Sequence, residues 1–430
     1  MDELPESSAS AFAPTTPTVE STGRPRINGW LIGISLMGIA AATWLSYETW
    51  RFFLDPTPLT KKHLSPGAID LYSRFTEVNA WFTTGRVYFG MHEAMHPPAT
   101  FALLWPLLGI LSWTWTKIVW FALSLVGLCW LSRQMIEHSL ARTRLQRTFV
   151  GLMPFASYAA GAALGNGQLI PLVLPILLYV VLHLSRPVAA EGNRPWLASA
   201  AMLWALVQPT IAAPFFWLVL LVTDKKRYGI TIAVCYLVLT LVSSFCSADR
   251  MLSKKPQFRG TNVLQRWTDK ATKGAYHGSR LGGYGSVHDL LAETTWEPAQ
   301  VQAVSLLLLA TLGAWVYAHR HVDLWLLIGI TALLARFWTY HRWYDDLLLM
   351  LPLVSLFRVT QLPRYGTRAQ RIALGLFLVV WGFSLAPGVL YILPVLVPLQ
   401  VTTWLVVVVF LLYLSNRDRL VQASPAPVVA

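Results

Sequence analysis

The 430-residue chain predicts an all-α polytopic membrane protein with about 12 transmembrane helices. Hydrophobic residues make up 55% of it and charged residues 13%, about half the ~25% charged fraction of soluble domains. Mean hydropathy is +0.50. Apolar runs near the ~20 residues that cross a bilayer recur along the whole chain. The net charge of +13 falls mostly in short connections between spans, where Lys and Arg set orientation, so it is no nucleic-acid footprint. Twenty Trp and 15 Tyr fit aromatic belts at the two interfaces. Cys129, Cys235 and Cys246 sit in or at the ends of apolar runs, with no spacing that signals a disulfide or metal site.

Taken in order, residues 1–28 are rich in Ser, Thr, Pro and Ala and read as a disordered cytoplasmic tail. One membrane domain, 29–414, follows, and 415–430 form a second cytoplasmic tail. Arg24 and Arg26 precede the first span, Trp30–Trp50, and place the first loop, 51–112, outside. Pro97–Leu111 is short and contains Pro106. Treating it as a re-entrant or interfacial helix keeps the basic loop Arg133–Arg147 inside. Spans are then expected at Trp113–Arg133, Phe149–Leu164 and Ile170–Ser185. Trp196–Thr223 lies between two basic loops and reads as two short helices turning near Gln208-Pro209. Ile230–Phe245 leads out to a long external loop, 247–298, and Val301–Ala318 returns. Leu324–Thr339, Asp345–Phe357, Ala373–Leu390 and Val395–Leu414 complete the 12, with both ends inside. No internal repeat of the kind many transporters carry is visible.

The unusual residues gather on the external side. Asp70 follows the first span and leads through Gly85 and Tyr88 to His96-Pro97-Pro98. A carboxylate outside the cytoplasm, away from nucleotide sugars and ATP, suits chemistry on lipid-borne substrates. A solvated loop Asp is the plainer reading. The long loop carries Lys254, Lys255 and Arg280 among eight basic residues, a candidate cradle for an anionic lipid phosphate, or simply a hydrophilic loop. Gly282-Gly283-Tyr284-Gly285-Ser286 adds backbone N–H groups that can approach phosphate oxygens, but it matches no P-loop. Arg336 ends an apolar span, and ionisable groups at such depth usually face a cavity or partner. It shares a helical face with Tyr340 if that helix continues. His341 can carry a proton near neutral pH. Asp345 and Asp346 read chiefly as helix N-terminal carboxylates. Gly165-Asn166-Gly167-Gln168 breaks a span at the same side, and its Asn and Gln suit sugar hydroxyls. Gln208 offers another amide.

Together these features resemble the GT-C superfamily of membrane glycosyltransferases, and within it glycosyltransferase family 87, whose members include polyprenyl-phosphate-mannose-dependent mannosyltransferases. The likeness covers roughly residues 60–350 and rests on three parts. Asp70 with Gly85-x-x-Tyr88 and Pro97-Pro98 echoes the family's first-loop pattern. Gly165-Asn166-Gly167-Gln168 resembles its G-Q turn. Ala335 to Asp346 resembles its late loop with His and Asp. His96 stands where an aromatic commonly precedes the Pro pair, and Gln208-Pro209 where Lys-Pro is common, which leaves the donor sugar open.

The resemblance implies transfer of a sugar, mannose or another hexose, from a polyprenyl phosphate to a lipid-linked or glycan hydroxyl, with inversion, at the outer face of the plasma membrane. Asp70 would be the general base and His341 would orient or protonate the phosphate. Arg336 and Arg342, helped by Lys254, Lys255 and Arg280, would stabilise the leaving phosphate. Tyr88, His96, Asn166, Gln168, Gln208 and Tyr340 would line the substrate site. No cofactor is expected. The lack of a DxD or ligand cluster argues against a tightly held metal and leaves a weakly bound divalent ion open. Expected partners are the donor, the acceptor and membrane lipids, with no nucleic acid. The alternatives are an O-antigen ligase or polymerase, whose catalytic charges concentrate in the late loop, and a polyprenol-linked sugar flippase or other transporter. A transporter would bury ionisable residues mid-span, where this chain has almost none.

Overall fold

A computed structural model describes residues 29–54, 67–91, 94–185, 194–223, 226–252, 262–280, 285–292, 294–385 and 396–423. All regular structure among them is helical. The helices are α1 (Gly29–Leu54), α2 (Ile69–Phe82), α3 (Val87–Gly90), α4 (Pro98–Leu108), α5 (Trp113–His138), α6 (Arg144–Ala156) and α7 (Tyr158–Asn166). Next come α8 (Ile170–Leu184), α9 (Pro195–Ala205), α10 (Pro209–Leu221), α11 (Lys226–Cys246), α12 (Asp249–Leu252), α13 (Val263–Arg280) and α14 (Val287–Ala292). Then follow α15 (Pro298–Ala318), α16 (Leu324–Phe337), a 3-10 helix Trp343–Leu349, α17 (Met350–Gln361), α18 (Gly366–Leu385) and α19 (Leu396–Ala423).

Six of these, or seven if a bent pair is one span, are long and apolar enough to cross a membrane, as in a multi-pass membrane protein. That is fewer than the 12 expected. The other five expected spans fall on short helices, of which α9 and α17 have 11 and 12 residues. Helices α8, α10 and α16 have only 15, 13 and 14 residues, and α8 and α16 are buried almost all round. The long helices wrap them and leave apolar side chains such as Ile39, Val126, Leu237 and Val409 on the outside. An inner helix shielded by others is not obliged to match the bilayer's thickness, because its ends reach polar protein groups.

Local chemistry sets the element ends. Pro98, Pro195, Pro209 and Pro298 open their helices, where the missing N–H costs nothing. The expected hairpin at Gln208-Pro209 is present, between α9 and α10. Helix α4 falls inside the expected short stretch 97–111 and packs on α2 and α11. The expected single span Phe149–Leu164 is instead broken: α6 and α7 meet at 42°. Pro154 interrupts α6, and the Ser157 hydroxyl accepts from the Ala159 N–H, which restarts the helix in a new direction. Helix α16 stops at Phe337, so Arg336 and Tyr340 do not share a helical face. The region 345–357 begins as the 3-10 helix, not as an α-helical span. Helix α19 continues past residue 414 to Ala423, so the expected C-terminal tail begins helically.

The long loop 247–298 carries structure. Trp267 of α13 donates from Nε1 to the Met95 carbonyl at 3.1 Å, and Lys270 donates to the Met91 carbonyl. The Arg266 guanidinium lies 5.6 Å from the Phe89 ring centre. Two of the loop's basic residues therefore hold the first loop in place.

Candidate functional site

Helix α7 reads Tyr158-Ala-Ala-Gly-Ala-Ala-Leu-Gly-Asn166, and small side chains of this kind let helices approach closely in lipid. A Cβ on Gly165 would fall 1.8 Å from Glu48 Oε2. That closeness lets Arg51 of α1 donate to Glu48 at 2.6 Å and to Asn166 Oδ1 at 2.8 Å. The Asn166 side-chain oxygen thus holds α1. Gly167 then turns the chain at φ +72°, and a Cβ there would lie 2.5 Å from the Leu71 side chain. The Ala68 N–H donates to the Gly165 carbonyl at 2.7 Å. These contacts clamp the start of α2 to the end of α7, and Gln168 Nε2 donates to Asp70 Oδ2. The Asp70 carboxylate is half-buried and oriented from one side.

The late motif reaches the same carboxylate. Asp70 lies within electrostatic reach of Arg342 and Tyr344. Arg342 Nε donates to the Tyr340 hydroxyl, and burial raises the Tyr340 pKa, which keeps that hydroxyl protonated. Asp345 Oδ2 accepts from the Arg342 N–H at 3.1 Å and pairs with His341 Nδ1 at 3.1 Å. The capping role expected of Asp345 is therefore joined by a second one, orientation of the His341 ring. His341 is buried, and its Nε2 has no partner within hydrogen-bond range, as is also true of Asp345 Oδ1.

Arg336 lies deep in the bundle. It is wholly buried, its Nε pairs with Asp346 at 2.6 Å, and its guanidinium lies 5.3 Å from the centre of the Trp404 ring. Tyr158 donates its hydroxyl to the other Asp346 oxygen. The guanidinium expected at a donor phosphate is thus paired with Asp346 and packed on Trp404 inside the bundle. The Arg336–Asp346–Tyr158 group ties α16, the 3-10 helix and α7 together beneath the late motif.

Tyr88 and His96 belong to a neighbouring group. Tyr88 is buried and donates its hydroxyl to the His96 carbonyl. Asp249 accepts from the Val87 and Tyr88 N–H groups at 3.0 and 2.7 Å, and so fixes the first loop to α12. Burial raises the Asp249 pKa, against the lowering effect of those N–H groups. Burial and nearby Arg74 hold His96 well below the usual histidine range. Asp70, Arg74 and Glu77 share one face of α2 at helical spacing, and Arg74 pairs with Glu77. A polar seam therefore runs along α2 from Gln168 and Arg342 towards Tyr88, His96 and Lys270. Gln208 is nearly buried at the α9–α10 turn, with its Oε1 unpartnered. Lys254 and Lys255 lie outside the described residues, and Arg280 is the last residue of α13. Among the described residues no group of three His, Cys, Asp or Glu side chains has the arrangement of a metal site.

Sequence reading missed His288, which is completely buried in α14. It lies close enough to His341 that the latter's charge acts on it. Only its place in the polar loop marked it, and a lone loop histidine carries no signal. Compared with protein-family models, curated proteins and solved structures, the chain matches none.

Proposed function

We propose that the protein is a membrane glycosyltransferase that moves a sugar from a polyprenyl phosphate to a hydroxyl acceptor, at the outer face of the plasma membrane. One observation supports this above the others. Asp70, from the first loop, comes within electrostatic reach of Arg342 and Tyr344, more than 270 positions away, in a partly enclosed polar seam. Acid and base chemistry is thus concentrated beside a cation, as group transfer from a phosphate requires.

In this reading Asp70 takes the proton of the acceptor hydroxyl, while Gln168 fixes one of its oxygens. The acceptor oxygen attacks the anomeric carbon, and the bond to the phosphate oxygen breaks with inversion. Arg342, pinned by Tyr340, meets the charge that grows on the departing phosphate. Arg336 is a positioning residue, through Asp346 and the 3-10 helix. A general base of this kind is worth about 10²–10⁴-fold in rate. The 12 crossings belong to the same proposal: the six long helices and the bent α6–α7 pair are completed by α8, α9, α10, α16 and α17. With both ends inside, Asp70 then faces outwards.

The test is a transfer assay with purified protein and a panel of polyprenyl-phosphate sugars, mannose first, against a lipid-extract acceptor pool. Release of polyprenyl phosphate with a matching glycosylated product is expected. No transfer from any member of a broad hexose and pentose panel would contradict the reading.

A further inference from the structure

Around α14, the late motif and α19, buried polar atoms without partners are concentrated. Among the described residues, both ring nitrogens of His288 lack a partner, as do His341 Nε2, the side-chain amide oxygen and nitrogen of Gln400, and Trp404 Nε1. His288, Trp404, His341 and Gln400 are all at most 1% exposed. Neighbours link them in pairs. His341 acts electrostatically on His288, and a Cβ on Gly285, three residues before His288, would meet Val401 and Trp404. Gln400 precedes Trp404 by one helical turn on the same face of α19. Folded proteins rarely leave buried polar groups unmet, and a set of them in one place needs an explanation.

The set is mixed while the imidazoles are neutral, with the Gln400 amide oxygen as an acceptor, and it leans to donors once they are protonated. Trp404 Nε1 only donates, the Gln400 amide nitrogen donates, and each imidazole can become a second donor by taking a proton. A cation does not suit such a group. An anionic group with several acceptor oxygens does. We propose that His288 and His341 form a paired imidazole receptor for the phosphate of the prenyl-phosphate substrate, with Gln400 and Trp404 as neutral donors. The phosphate chemistry rests on the glycosyltransferase reading. The receptor adds a binding role for the long loop, which delivers His288 on α14.

The electrostatics give the receptor a distinctive signature. Without ligand, burial and the neighbouring His341 lower the His288 pKa to about 4, so its ring is neutral at pH 7. The charged and titratable groups around the pair are Asp289 beside His288, Asp345 on His341, Tyr340, Arg342, and Arg336 across the Trp404 ring. An anion lodged between the imidazoles offsets the effect of burial and of His341 on His288 and draws a proton onto it. Binding is therefore coupled to proton uptake, and affinity falls as pH rises.

The experiment uses the full chain in nanodiscs of zwitterionic lipid and a sugar-free farnesyl methyl phosphodiester, which has no proton of its own to exchange near neutrality. Titration calorimetry at pH 7 in two buffers of different ionisation enthalpy should show net proton uptake by the wild type. Affinity should weaken about tenfold or more between pH 6 and pH 8. His288→Gln should lose the proton uptake and bind at least tenfold more weakly, with an unchanged melting profile. Inorganic phosphate should bind far more weakly than the prenyl diester. Binding without proton uptake in the wild type would overturn the proposal, even if His288→Gln failed to fold. So would equal affinity in a folded His288→Gln, or equal binding of inorganic phosphate. Because the probe carries no sugar, its binding is independent of whether the protein transfers one.

Discussion

At the start of α16, Asp323 accepts from Arg364 at 2.5 Å and lies 3.7 Å from Arg358, and Asp418 lies 3.8 Å from Arg364. Asp323 also caps the helix, taking the Trp325 N–H at 2.8 Å. Beyond the other end of α16, roughly 20 Å away at ~1.5 Å per residue, Asp345 and His341 pair with each other, yet each keeps an unpartnered atom. The first group joins the start of α16, α17, the Pro363–Tyr365 turn ahead of α18, and α19 through opposed charges and has the character of a clamp. The second is built on a buried support, Arg336–Asp346–Tyr158, but holds polar atoms that no described residue satisfies. Charge alone does not distinguish structure from site. Even the clamp leaves one buried nitrogen, Arg358 Nε, without a partner among the described residues; the second region differs in that both members of its ion pair, His341 and Asp345, carry such an atom.

The largest effect on stability is expected where the support itself is broken. Arg336→Ala leaves the Asp346 carboxylate buried without its cation, and loss of one member of such a pair costs about 3–5 kcal/mol. Thermal melting of purified protein checks it. A melting change under a degree would move Arg336 out of the support and back towards ligand binding.

The pH response comes next. His288 titrates near pH 4 in the fold, against 6.5 for an unperturbed histidine. The unfolded chain therefore binds the extra proton first as pH falls. The contribution is complete above about pH 6.5 and is lost on acidification towards pH 4, worth up to about 3 kcal/mol. Melting between pH 7.5 and 4.5 should fall more steeply for wild type than for His288→Gln. Parallel curves would mean that His288 is not held neutral.

Gly167→Ala tests the joint that carries Asp70. Its positive φ and the 2.5 Å approach to Leu71 predict a loss of about 1–3 kcal/mol and a displaced α2. Activity should drop with it. Full activity would mean that the α2–α7 contact does not position the carboxylate. The smallest effect is expected at the clamp: Arg364 is about half exposed, so Arg364→Ala should cost no more than about 1 kcal/mol and leave turnover unchanged.

Much of this arrangement was legible in the sequence, and what was not has a physical reason. Basic loops on both sides of Trp196–Thr223 forced a hairpin at Gln208-Pro209, and Pro97-Pro98 announced α4. Asp70, Gln168 and Arg342 were each singled out by local oddity. Their convergence was not readable, because it depends on Gly165 and Gly167 letting α7 touch α1 and α2. Nor was the partner of Arg336, since the chain must leave α16 and turn into a 3-10 helix before Asp346 can reach back. Counting apolar runs anticipated more membrane-length helices than the described residues contain, because α8, α9, α10, α16 and α17 have only 11 to 15 residues each. His288 left no trace, as its meaning comes only from neighbours distant in sequence.

The claim that the Asp70 seam is a reaction centre is tested most directly by the turnover of purified Asp70→Asn, measured with the best donor from the sugar panel and read beside its melting temperature. The account predicts an unchanged melting temperature and a rate lower by about 10²–10⁴-fold. A folded Asp70→Asn with wild-type turnover would contradict it.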